Sequence, residues 1–115
     1  MERKLSDKEA KSRPFGYLAF LPRLVRVARW HGYALCLHGS LVNDFDLVAI
    51  PWVADAADPH EFAEDIRQEC GGLFGGRRHV DDPNFVTRDH GRIVYTIVMA
   101  FENFYIDLSV MPRTT

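Results

Sequence analysis

The sequence is poor in cysteine, in charge of one sign and in long apolar runs. Its 115 residues include only two cysteines, Cys36 and Cys70. They form no CxxC pair and no tight cluster with histidine, which argues against a structural zinc site. A reduced, cytoplasmic protein is the matching expectation. No apolar stretch approaches the ~20 residues of a membrane span. The start, Met1 to Pro14, is charged and polar, without the apolar centre of a signal peptide. The formal net charge is −2, from 14 basic and 16 acidic residues. The strong basic excess of a compact nucleic-acid binder is therefore missing. The chain is too short for a second core, so any active site must sit on the core fold itself.

What is present reads as one globular domain, with 47% hydrophobic and 26% charged residues. Residues 1–15 read as a flexible charged leader and 16–115 as the domain. Leu21, Leu24, Val25 and Ala28 recur at helical spacing. Pro22 suits the first turn of that helix and Gly32 its stop. Arg23, Arg26 and Arg29 form a separate stripe, read as a solvated face. Tyr33–Leu37 and Asp46–Ile50 are short apolar runs expected to pair as neighbouring strands. Asp58-Pro59-His60-Glu61 opens a second helix whose buried face is Phe62, Ala63 and Ile66, ended by Gly71-Gly72. Residues 75–89 read as a loop with a short strand near 85–87. Ile93–Phe101 and Phe104–Val110 read as a hairpin turning at Glu102-Asn103. The sum is an α+β domain: one mixed or antiparallel sheet of four to five strands with two helices packed on it.

Three carboxylates carry the chemical signal. Asp44 and Asp46 flank Phe45, and strand alternation puts both on one face, about 7 Å apart. Asp107 lies in the apolar run Tyr105-Ile106-Asp107-Leu108, where an unpartnered carboxylate is costly. Converging carboxylates suit Mg²⁺ (or Mn²⁺), which takes oxygen ligands and keeps several waters. The plainer alternatives are a turn role for Asp44 and an edge-strand position facing water for Asp107. His38 stands at the edge of this candidate site, and His90, in His90-Gly91-Arg92, is a second accessory candidate. His31, His60 and His79 read as ordinary loop or helix-surface residues.

His38-Gly39-Ser40, Asp44-Phe45-Asp46-Leu47 and Tyr105-Ile106-Asp107-Leu108 resemble the polymerase-beta-like nucleotidyltransferase superfamily. The pattern is an apolar strand ending in Gly-Ser, an Asp-x-Asp on the next strand and a third acid on a later one. The run HGSLVNDFDLVAIPW, with HGR and YIDLSVMPR, looks like small phage-encoded proteins known only as nucleotidyltransferase-like. The resemblance spans about Leu21 to Arg113. It implies that Gly39 and Ser40 approach nucleotide phosphates, that Asp44 and Asp46 hold one or two Mg²⁺ ions, and that Asp107 completes the metal site and helps deprotonate a hydroxyl. Only Leu41, Val42 and Asn43 separate Ser40 from Asp44, whereas the superfamily has a longer segment with a helical turn. Arg77, Arg78 and Arg92 are candidate substitutes for its phosphate grip, because guanidinium forks suit phosphate oxygens.

The implied activity is transfer of a nucleoside monophosphate from a nucleoside triphosphate to a hydroxyl, on a protein, an RNA end or a small molecule. The alternative is a binding module on the same fold, a phage-encoded regulator contacting a host or phage protein. The implied setting is the cytoplasm, a bacterial host's if the gene is a phage's, with no membrane partner. A homodimer is a further open expectation.

Overall fold

In the computed structural model, which describes residues 7–39, 41, 44–74, 85–99 and 105–113, two helices alternate unevenly with six strands. The order is α1 (Asp7–Trp30), β1 (Tyr33–His38), β2 (Asp44–Pro51), α2 (Pro59–Glu69), β3 (Leu73–Phe74), β4 (Phe85–Thr87), β5 (Ile93–Val98) and β6 (Tyr105–Val110). A short 3₁₀ turn, Asp89–Gly91, joins β4 to β5.

The strands form one mixed sheet in the order β1-β2-β6-β5. β2 and β6 run parallel, and the other pairs are antiparallel. β3 and β4 lie end to end along the free edge of β5, at Ile97–Val98 and Ile93–Tyr95. The sheet has one strand more than expected because the two-residue β3 follows Gly71-Gly72 directly and buries Phe74. β4 falls on 85–87, as expected. The expected turn at Glu102-Asn103 lies outside the described residues, but β5 and β6 pair as the antiparallel arms of that hairpin.

Alternation divides the sheet into two faces. Phe45, Leu47 and Ala49 of β2, Ile106 and Leu108 of β6, and Tyr95 and Ile97 of β5 are buried under the helices. Their neighbours Asp46, Val48, Asp107, Ser109, Val94 and Thr96 are only half-buried. The face opposite the helices is thus open, and it carries Asp46, Asp107, Thr96 and Ser109.

α1 packs through Tyr17, Leu24 and Ala28, with Phe20, Leu21 and Val27 beside them. Val27, not the expected Val25, completes this stripe. Pro22, expected in the first turn, lies deep inside the helix. There its ring withholds the N–H that the Leu18 carbonyl would accept. The buried stripe runs past it on both sides, from Tyr17 to Leu24, and α1 continues through the missing hydrogen bond. Residues 7–15, read in the sequence as part of the leader, also belong to α1. Lys8-Glu9-Ala10-Lys11 are strong helix formers, but they carry no apolar face for a periodicity reading to detect.

α2 is capped as its sequence predicts. The Asp58 carboxylate accepts from the backbone N–H of His60 (3.0 Å) and Glu61 (3.3 Å), an arrangement worth about 1 kcal/mol. At the other end Gly71 N–H donates to Gln68 O and Gly72 N–H to Arg67 O, the paired bonds of a Schellman motif. Phe62, Ala63 and Ile66 form the buried face. Two histidines expected at the surface instead join elements. His31 sits between Val27 O and Asp65 Oδ2, each 2.7 Å from a ring nitrogen, and so links α1 to α2. His60 Nδ1 lies 2.7 Å from the Tyr95 hydroxyl, fastening the first turn of α2 to β5. His79 lies outside the described residues.

Burial also raises the pKa of three acids, Tyr33, Cys70 and Tyr95, the last two most strongly. It pushes the Cys70 thiol up from 9.0 to about 11, and it raises the Tyr95 phenol above its ordinary range. Both groups are held neutral by the fold. Their stabilising effect is complete below their unfolded pKa values and is lost as pH rises through the folded ones. We expect urea-unfolding free energy to begin falling near pH 9 and to keep falling past pH 11. The Cys70→Ala variant should lose the part of this slope between pH 9 and 11, by up to about 2–3 kcal/mol.

Candidate active site

Residues paired across strands point to the same side of a sheet. The register therefore lays one row across four strands of the open face: His38 of β1, Asp46 of β2, Asp107 of β6 and Thr96 of β5. Asp46 and Asp107 are direct partners in the parallel pair, on strands about 4.8 Å apart. Two like charges this close repel unless a cation or a proton lies between them. Thr96 Oγ1 donates to Asp107 Oδ1 at 3.3 Å, which fixes that side of the pair. The next row along the strands is Val48, Ser109, Val94 and Val86. Both rows lie on the floor of an open groove of about 980 Å³.

Gly39 closes the row at its β1 end. Its φ is +85°, and a β-carbon there would stand 2.6 Å from Asp46 Oδ2. The backbone leaving β1 thus lies against the carboxylate, and its left-handed conformation favours glycine. Gly39→Ala is expected to lower unfolding stability by about 1–3 kcal/mol, from the left-handed strain and the contact together. A urea melt measures this loss.

The far end of the groove is basic. Arg92 Nη1 donates to Ser109 Oγ at 3.1 Å. Arg88, across the 3₁₀ turn, lines the same end, and its N–H donates to Arg92 O at 2.7 Å.

Of the residues singled out by sequence, the structure brings Asp46, Asp107, His38 and Gly39 together, with Arg92 along the same groove. Asp44 is the first residue of β2, in register with Tyr105. Its side chain lies outside the described residues, as do Ser40, Arg77 and Arg78. His90 is exposed in the 3₁₀ turn with φ +64° and is not among the residues lining the groove. Among the described residues no three of His, Cys, Asp and Glu converge as a metal-binding group. The acidic row contributes two carboxylates. Thr96, Ser109 and Arg88 went unnoticed in the sequence. Thr96 and Ser109 each occupy a polar position in an otherwise apolar strand, the same signal that marks Asp107.

Chemically, the acidic row offers hard oxygen donors for a divalent cation and an acceptor for a hydroxyl proton. The guanidinium end offers donors for an anion. No family model and no curated protein matches the chain. One solved structure, described as "Structural Basis for the Activity of a Cytoplasmic RNA Terminal U-transferase", is similar to 93% of this chain at 19% identity with a TM-score of 0.49. The chain spans 31% of that protein's length.

Proposed function

We propose that this chain is a minimal nucleotidyltransferase-like protein that transfers a nucleoside monophosphate from a nucleoside triphosphate to a hydroxyl acceptor. One observation supports the reading above all: Asp46 and Asp107 are register partners on the open face, with the Gly39 backbone against the Asp46 carboxylate. The donor set fits Mg²⁺ or Mn²⁺, since these ions take few carboxylates and complete their shell with water and phosphate oxygens. When bound, such an ion supplies charge neutralisation on the phosphates. Asp46 and Asp107, with Asp44, would hold it, and Gly39 lets the backbone at the end of β1 lie directly against the Asp46 carboxylate. Asp107, oriented by Thr96, takes the proton of the acceptor hydroxyl. The hydroxyl oxygen bonds to the α-phosphorus as the bond to the bridging oxygen breaks, and pyrophosphate leaves with that electron pair.

The test is ligand linkage. Mg²⁺ with one of the four nucleoside triphosphates should raise Tm, since a ligand at 100 times its Kd adds about 2.7 kcal/mol. No rise with any of the four sinks the enzyme reading and leaves the fold as a binding module.

A further inference from the structure

We infer that the basic end of the groove, formed by Arg88, Arg92 and Ser109, is a phosphate site, and that the acceptor is a hydroxyl compound carrying a phosphate of its own. The second half of this inference rests on the nucleotidyl-transfer reading; the first does not. Arg88 and Arg92 flank the Asp89–Gly91 turn as a cross-strand pair, so the backbone sets their spacing. Among the described residues neither arginine is paired to a carboxylate. Ser109 accepts from Arg92, which leaves its own O–H to donate. Two arginines and a hydroxyl lining one end of a groove form a donor set for a tetrahedral anion.

Position then selects the kind of anion. Ser109 is two residues beyond Asp107 on β6, about 7 Å along the strand. That is the reach from the 5′-phosphate to the 3′-hydroxyl of one nucleotide unit. Val48 and Val94, the register partners of Ser109, flank it in the same row and give this part of the groove an apolar floor that suits a sugar. A ligand with its phosphate on the arginines therefore presents its hydroxyl at Asp107. A protein hydroxyl leaves the arginine end without a ligand. The phosphate could be that of a free nucleotide or of the last unit of a single strand; the chemistry at the arginines is the same.

The experiment is titration calorimetry without Mg²⁺ or triphosphate, comparing nucleoside 5′-monophosphates with the same nucleosides, and both with a single-stranded trinucleotide ending in a free 3′-hydroxyl. The expected result is that the phosphate improves affinity by about tenfold or more. That advantage should disappear in Arg92→Ala and Arg88→Ala, shrink in Arg92→Lys, and persist in Asp46→Asn. Circular dichroism establishes that each variant is folded. A tighter trinucleotide names a strand end as the source, and a tighter or equal monophosphate names a free nucleotide; either supports the site. Equal binding of nucleoside and monophosphate overturns it, as does an advantage lost in Asp46→Asn but kept in both arginine variants. Because triphosphate and metal are absent, failure here leaves the Mg²⁺–triphosphate result standing, and failure there leaves this one.

Discussion

Asp46→Asn and Asp107→Asn are each expected to remove the rise in Tm that Mg²⁺ and a nucleoside triphosphate produce, and to lower transfer roughly 10²–10³-fold. The reasoning is electrostatic. In the proposed mechanism each carboxylate would supply charge to a cation that in turn neutralises phosphate, an effect worth several kcal/mol in the transition state. An amide keeps the shape and loses the charge. The two acids are register partners on a half-open face, and circular dichroism establishes that each variant is folded before its ligand response is compared. The two variants also separate roles. Asp107 receives a hydrogen bond from Thr96 and is assigned the acceptor proton, so its loss should lower kcat at saturating Mg²⁺. Loss of Asp46 should act mainly through metal affinity and be partly offset by raising Mg²⁺. A ligand-induced rise in Tm that survives both substitutions would place triphosphate binding elsewhere on the molecule.

Much of this site was legible because polar residues interrupt apolar strands. Asp46 and Asp107 stand out in DLVAI and YIDLSV, and Gly39 stands out beside Ser40. What brings them together was not legible. β2 pairs in parallel with β6, the last strand of the chain, and no local pattern encodes a partner so distant in sequence. The hairpin register was close but displaced. A turn centred on Glu102-Asn103 pairs Asp107 with Val98, whereas the observed partner is Thr96. A slip of two residues keeps the face and changes the neighbour, so the alternation was right and the hydrogen bond to Asp107 was invisible. Val48 was hidden differently: DLVAI reads as an apolar strand, yet Val48 faces the groove and not the core. Arg88 sat in a stretch read as loop and reaches the groove only because β4 pairs with β5. His31 and His60 were misread because histidine near a helix end is usually solvated. Here each is fixed by a partner on another element, Asp65 and Tyr95.

Phe62→Ala is expected to be among the most damaging single substitutions to stability while leaving the groove's chemistry intact. Phe62 is fully buried. Its ring stacks on Tyr33 at 4.4 Å between centroids and 10° between planes, and it lies 5.6 Å from the His31 ring. It therefore joins α2 to β1 and to the end of α1 at one point. Removing the ring loses the transfer free energy and leaves a cavity whose walls are held apart by hydrogen bonds. The Tyr33 hydroxyl is tied to Ala57 O at 2.6 Å and His31 to Asp65, so neither side collapses easily. Truncations of this kind cost about 3–5 kcal/mol. For a domain of this size that corresponds to a fall of roughly 10–25 °C in Tm. Phe62 lies under the helix-covered face, and the row from His38 to Thr96 lies on the other. Below its lowered Tm, the variant should thus bind Mg²⁺ and triphosphate with wild-type affinity, measured by calorimetry at low temperature. A parallel loss of affinity would mean that the α2 packing sets the register of the acidic row, and that core and site are a single cooperative unit.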